Sequence, residues 1–285
     1  MLADVLPYLR CPVCHGPFVA DDAGRTLRCA AGHSFDVARH GHVDLLTGRV
    51  PHTGDTAQMI AARDEFLRAG HFAAITSGLV RAATTQLHPA GSMTGPAPLV
   101  IDAGAGTGFH LAAVLDALPG TAGLALDISK AAVRRAARAH PAAAAVRCDT
   151  WRRLPVADGC ADLLLNVFAP RNGAEFARVL RPGGKLLVVT PLPEHLGELV
   201  RALGLLGVDP AKEDRLAATL DEHFTEVSRR TVREPLPLTH RDADTVIRMG
   251  PSAWHTDPAG PAALAALPDP VEVTVAVRLT TYQVR

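Results

Sequence analysis

Val100-Ile-Asp-Ala-Gly-Ala-Gly-Thr-Gly-Phe-His110 is the stretch on which the fold turns. An apolar run ends in Asp102, glycines follow at 104, 106 and 108, and a helix-like segment begins at about Phe109. A strand, a tight turn and a helix N-terminus in that order bind a nucleotide-like ligand at the carboxyl edge of a parallel sheet. Glycine lets the main chain turn sharply and lets a ligand come close to it. A dinucleotide fingerprint wants glycine at the sixth position counted from Gly104, and Phe109 stands there instead.

Downstream, strand-like and helical segments alternate, which predicts an α/β domain with a doubly wound parallel sheet. Strands are expected at Leu99–Asp102, Ala122–Asp127, around Val146, at Cys160–Asn166 and at Lys185–Thr190. Helices are expected over about 109–118, from a Ser129 cap to His140, and over 173–180, 193–206 and 212–221. Arg181-Pro-Gly-Gly184 reads as a turn, and Phe224–Val232 with Val271–Leu279 as an antiparallel pair closing the sheet.

The acids have a pattern of their own. Asp127 ends the second strand, where a carboxylate accepts hydrogen bonds from both ribose hydroxyls of an adenosine. Asp149, after the third strand, is placed to accept from the adenine exocyclic amine, an ordinary loop aspartate being the plainer alternative. Asp102-x-Gly104-x-Gly106-x-Gly108 resembles motif I of the S-adenosylmethionine-dependent methyltransferases. That resemblance implies a class I, Rossmann-like domain, with Asp102, Gly104, Ala105, Gly106, Gly108, Phe109 and His110 around the cofactor.

The first 50 residues form a separate unit. Cys11-Pro-Val-Cys14, Cys29 and His33 give C-x2-C-x14-C-x3-H, four thiolate and imidazole ligands of the kind that zinc holds tetrahedrally. Phe18–Ala20 and Arg25–Arg28 read as short strands joined by a turn, so the unit is a zinc ribbon, with His15, His40 or His42 as alternatives to His33. Four protein ligands leave no open position, so the metal is expected to be structural. Residues 51–98 read as a linker and two helices broken near Ala69-Gly70, and residues 99–285 as the methyltransferase domain.

Composition narrows the partners. The chain of 285 residues has 29 basic and 29 acidic side chains, so any nucleic acid must be met by a local patch. Lys130, Arg134 and Arg138 at helical spacing offer one, although such a stripe is commonly just a solvated face; Arg10, Arg25, Arg28 and Arg39 offer another. Five cysteines, three of them before residue 30, argue for metal in a reducing compartment. No apolar run approaches the roughly 20 residues that span a bilayer, and no secretory signal is visible, so a cytoplasmic protein without a membrane partner is expected. Whether it forms a homodimer stays open on these grounds.

Taken whole, the chain resembles the 23S ribosomal RNA (guanine-N1)-methyltransferases. The likeness rests on the ribbon, Phe35-Asp-Val-Ala38, Ala69-Gly-His-Phe72, the Asp102 glycine motif and Leu126-Asp-Ile-Ser-Lys130. It continues through Phe168-Ala-Pro170, Leu180-Arg-Pro-Gly-Gly184, Val189-Thr-Pro191 and Met249-Gly-Pro-Ser-Ala-Trp254. Asn166-Val-Phe-Ala-Pro-Arg-Asn172 looks like the actinobacterial branch, which includes tylosin-resistance enzymes. The resemblance implies S-adenosylmethionine as donor, guanine N1 in a 23S rRNA hairpin loop near the macrolide site as acceptor, and a ribbon that takes part in RNA recognition.

By carry-over, Phe72 and His195 contact the cofactor; Phe72 stands where the family can have tyrosine, so it offers packing and no phenol hydrogen bond. On their residue types alone they read as a core phenylalanine and a helix N-terminal histidine. Asn166, ending the fourth strand, is expected to hydrogen-bond the target base, and Trp254 to stack on it. Methylation of tRNA or a small molecule, or RNA binding without catalysis, are the alternatives that the residues leave open.

Overall fold

Parallel strands buried on both faces need near-continuous apolar runs, and the runs of this chain become strands of that kind. The computed structural model describes residues 2–48, 54–87, 97–208, 219–250 and 260–285. Helix α1 (Leu2–Val5) leads into a small antiparallel sheet of β1 (Phe18–Ala20), β2 (Thr26–Cys29) and β3 (Ser34–Asp36), followed by β4 (His42–Asp44). Helices α2 (Ala57–Arg68) and α3 (Ala73–Leu87) come next, broken at Gly70, whose φ is 86°. Thr56 caps α2 by accepting from the Met59 N–H.

The alternating region follows: β5 (Leu99–Ala103), α4 (Phe109–Ala117), β6 (Ala122–Asp127), α5 (Lys130–Ala136), β7 (Ala143–Arg147), β8 (Ala161–Val167), α6 (Gly173–Val179), β9 (Leu180–Pro191) and α7 (Gly197–Leu203). Last come β10 (Phe224–Leu238), α8 (His240–Met249), α9 (Gly260–Ala265) and β11 (Val271–Val284). The main sheet runs β10-β11-β9-β8-β5-β6-β7-β4. Pairing is parallel from β4 to β9 and antiparallel where β11 joins β9 and β10. Strand order reverses beside β5, so the crevice at its carboxyl end is the topological switch point. The period of two along each strand sorts side chains between two cores. Val100, Ala125, Leu163 and Leu187 enter one, and Ile101, Leu124, Leu164 and Leu186 the other.

Three features depart from the expected layout. Arg181-Pro-Gly-Gly184 is a slip in register inside β9, where Ala161 pairs with Leu180 and Leu163 with Lys185. Helices α8 and α9 fill the insert before β11, and α8 packs across α2. The ribbon unit is not self-contained. The connection from β7 to β8, residues 148–160, holds no helix, and α1 with the turn after it covers that part of the sheet. Val5, Leu9, Phe18, Leu27 and Val43 join the core that contains Leu124 and Val146. Backbone bonds from Arg10 N to Pro155 O (2.9 Å) and Ala157 N to Tyr8 O (2.8 Å) stitch the seam, and β4 extends the main sheet along β7.

The far edge, β10, is long and exposed, and its Arg229, Arg230, Arg233 and Glu234 discourage pairing with another chain. Among the described residues no helix is long and apolar enough to cross a membrane. The helix expected at 212–221 falls mostly outside the described residues.

Leu9 is fully buried in the seam. Leu9→Ala should cost about 2–5 kcal/mol of stability. Urea unfolding followed by zinc release and by far-ultraviolet ellipticity should show both probes shifting together, because ribbon and sheet share that core.

Candidate cofactor site and metal centre

The glycine turn owes its shape to three residues in the left-handed region: Gly104 (φ 84°), Gly106 (φ 55°) and Gly108 (φ 77°). Two are also sterically obligatory. A Cβ on Gly104 would sit 2.4 Å from the Ala169 Cβ, and one on Gly108 would sit 2.9 Å from the Ala136 Cα. The turn is clamped by Asp127, whose Oδ2 accepts from the Gly106 N–H (2.8 Å) and whose Oδ1 accepts from the Ser129 N–H (2.8 Å). Ser129 caps α5 through its Oγ and also donates to the Asp55 carbonyl (2.7 Å), bringing the segment before α2 over the site.

Asp102 lies beneath the turn, 2% exposed, and its Oδ1 has no hydrogen-bond partner among the described residues. Burial, reinforced by the nearby Asp127, pushes its carboxyl up to about 8. Asp127 is raised as well, by burial, against the two N–H groups that favour its charged form. A buried neutral acid beside a cradle of glycines suits a ligand that carries positive charge and approaches the main chain. That is the character of S-adenosylmethionine, a sulfonium with an α-ammonium group.

The walls come from several elements. His110, in the first turn of α4, meets the Thr76 hydroxyl (3.2 Å), and burial, with help from Arg63, pushes its imidazole down to about 4. Phe109 and Ala105 pack against the core beside it. Asp149 is buried, accepting from Trp151 N (3.0 Å) and facing Arg152 Nε at 3.3 Å. Phe72 and His195, far apart in sequence, meet with ring centroids 5.7 Å apart. His195 Nδ1 accepts from the Ala276 N–H (3.2 Å), and burial pushes the ring down to about 4, so it is neutral with its proton on Nε2.

Asn166, expected to contact the target base, stands at the carboxyl end of β8 with its Oδ1 lacking a hydrogen-bond partner among the described residues. Its side chain is fully buried, and its amide donates to Ala103 O (3.1 Å) and Pro170 O (2.9 Å), which ties the loop after β8 to β5. Trp254 lies outside the described residues. The sequence reading missed Arg63, which approaches Gly106, pairs with Asp55 (2.5 Å) and donates to Met249 O (2.8 Å). Only its packing reveals it, since an arginine inside an amphipathic helix carries no local signal.

In the N-terminal ribbon the ligand atoms of Cys11, Cys14, Cys29 and His33 lie within 4.8 Å of one another. Cys14 Sγ is 3.5 Å from Cys29 Sγ, and His33 Nδ1 is 3.3 Å from Cys29 Sγ and 3.6 Å from Cys11 Sγ. Tetrahedral zinc with bonds of about 2.3 Å to sulfur and about 2.0 Å to nitrogen sets such edges at roughly 3.5–3.8 Å. Gly32 (φ 83°) makes the turn that returns His33 to the cluster. His15 is exposed in the first knuckle, and His40 instead meets Arg134 at 3.1 Å, so His33 is the imidazole that completes the set.

The His40–Arg134 contact has a second consequence. It joins the ribbon tail to the basic stripe of α5, and the charges of Arg39, Arg134 and Arg138 add to burial in lowering the His40 imidazole. Cys14→Ser should release zinc at lower chelator concentration while S-adenosylmethionine affinity changes less than about threefold, the metal being structural and sharing no residue with the cofactor site. A colorimetric zinc assay and calorimetry check the two halves.

Two family descriptions match the chain: "RlmA, N-terminal" over residues 9–49 and "Methyltransferase domain" over residues 100–184. A Micromonospora griseorubida protein provisionally named a 23S rRNA (guanine-N(1)-)-methyltransferase is 59% identical over 99% of both chains. The 23S rRNA (guanine(748)-N(1))-methyltransferase of Streptomyces fradiae is 50% identical over 98% of both chains. A Bacillus subtilis protein provisionally named for the same activity is 29% identical over 86% of each. With a zinc ribbon joined to a class I S-adenosylmethionine-dependent domain, the chain belongs to the 23S rRNA (guanine-N1)-methyltransferase family.

Proposed function

We propose that the protein moves a methyl group from S-adenosylmethionine to N1 of a guanine in a 23S rRNA hairpin loop near the macrolide site, conferring tylosin-type macrolide resistance. The observation that carries the reading is the fusion, through one core, of a ribbon and a glycine-turn domain whose full-length relatives are named for that reaction. A guanine equivalent to position 748 is the acceptor that the Streptomyces fradiae relative points to. Ribosomal RNA as substrate places the reaction in the cytoplasm.

S-adenosylmethionine supplies an activated methyl group on a sulfonium leaving group, so alignment can provide much of the acceleration. In this reading Gly104, Ala105, Gly106 and Gly108 let the cofactor approach the main chain, Asp127 meets the ribose, and Asp149 the adenine. Asp102 faces the ammonium, while Phe72, Phe109, His110 and His195 form the wall. Guanine N1 is paired in a duplex and carries a proton, so the base must be unpaired or extruded before it can act as a nucleophile. Phosphates are taken up by the surface where ribbon and α5 meet. A cleft of about 500 Å³ opens there, lined by Asp55, Ser129, Lys130, Arg134 and Arg147.

Tritium transfer from labelled cofactor to unmodified 23S rRNA, mapped by a primer-extension stop, should place one methyl on a hairpin guanine. No incorporation with zinc-loaded protein overturns the reading. The cofactor roles have a separate test in pH. Below about 8 the Asp102 carboxyl is neutral in the free protein, and a bound ammonium favours its ionised form. Binding should therefore release a proton, and affinity should rise by up to about tenfold per pH unit between pH 6 and 7.5. Calorimetry in buffers of different ionisation enthalpy reads that proton, and Asp102→Asn should remove both the proton and the slope.

A further inference from the structure

Phe168 is the one bulky aromatic residue among those described whose backbone is left-handed, with φ at 52°, and its side chain is 42% exposed. Both properties oppose ordinary folding preferences. A bulky side chain at positive φ is a genuine outlier, and a large ring gains more from burial than from water. Such an outlier persists only when its surroundings over-determine it, and the surroundings here do so.

The loop that presents Phe168 is fixed along its length. Asn166 holds its start by donating to Ala103 O and Pro170 O (3.1 and 2.9 Å). Asn172 holds its end by donating to Trp151 O (3.0 Å), and the Phe168 N–H is donated to Val189 O (3.1 Å). Ala169 is pressed into the space that the missing Gly104 side chain leaves, so the loop is in register with the cofactor turn. The Phe168 ring stacks on His195, with centroids 5.7 Å apart and planes 27° from parallel, and Phe72 stands behind at 6.3 Å. His195 is itself pinned through Nδ1 to the Ala276 N–H. The result is a rigid aromatic surface, backed by a neutral imidazole and partly open to solvent, at the carboxyl end of β8 beside the switch point.

We propose that Phe168 is the platform on which the acceptor base stacks once it leaves its own helix. The assignment rests on the reading of the chain as a methyltransferase acting on a nucleobase. A base removed from its neighbours loses stacking on both faces, and an aromatic ring that is already fixed replaces part of it without further ordering. Phosphate contacts elsewhere retain the RNA, so the platform acts on alignment more than on RNA capture. The strain at residue 168 then has a use: the extended conformation ordinary for a strand end would aim the next side chains differently along the edge.

The test compares the parent with Phe168→Ala, Phe168→Leu and Phe168→Trp on an unmodified 23S rRNA hairpin transcript. Zinc content and calorimetric S-adenosylmethionine affinity report folding and the cofactor site. Stacking predicts that Ala and Leu each lower kcat by about 10- to 100-fold, while Trp stays within about threefold of the parent. RNA KM and cofactor affinity should move less than about threefold in all. With 2-aminopurine in place of the target guanine, fluorescence in the complex should be quenched by the parent and by Phe168→Trp but not by Phe168→Leu. Parental kcat in Phe168→Leu overturns the platform, as does cofactor affinity falling in step with activity, which would make Phe168 part of the cofactor wall. A parent inactive on this RNA overturns the substrate reading, and the platform with it.

Discussion

A single carboxylate holds two backbone N–H groups that the sequence places far apart. Asp127 accepts from Gly106 with one oxygen and from Ser129 with the other, so the glycine turn and the start of α5 are locked to the end of β6. Charge-assisted bonds of this kind are stronger than neutral ones, and burial strengthens them further. The same burial works against the charge, which raises the Asp127 carboxyl and helps to keep Asp102 protonated beneath it. One chain of contacts over the cofactor edge is referenced to this point. Ser129 carries the Asp55 carbonyl over it, Asp55 carries Arg63, and Arg63 reaches the end of α8.

How much of this could be read beforehand follows from how local each signal is. The strand ending at Asp102, the glycine turn and the second strand ending at Asp127 are set by short-range rules, and they stand where the residues put them. The zinc ligands were equally legible, because C-x2-C and a histidine after a glycine turn are local geometry. Long-range packing was not. Phe72 and His195 read separately as a core phenylalanine and a helix-end histidine, and only the fold brings their rings together. Asn166 was legible as the residue at the end of β8, but its bonds to Ala103 and Pro170 were not, since they depend on where the fold presents those carbonyls. Positive φ at Phe168 leaves no trace in residue type.

The seam between ribbon and sheet has the same origin. Period and spacing show where the N-terminal unit ends in sequence, yet they cannot show that the β7–β8 connection lacks a helix and leaves a face for Val5 and Leu9 to cover. Ribbon and glycine-turn domain are therefore mounted on one body. A ribbon on a flexible tether would have no fixed position relative to the cofactor edge. Here the Arg134–His40 contact fixes the ribbon tail against a helix that begins at the cofactor edge.

That seam also imposes an order of assembly during synthesis. Residues 2–44 leave the ribosome before the surfaces they need, because β7 and the 148–160 connection emerge only after a further hundred or so residues. The four metal ligands lie within one short stretch and can close around an ion at once, as local contacts form early. β4, bridged locally to Val37, must wait for its neighbour in the main sheet until β7 is made. An ion held by these four ligands would keep the segment compact through the interval before its face of the sheet exists.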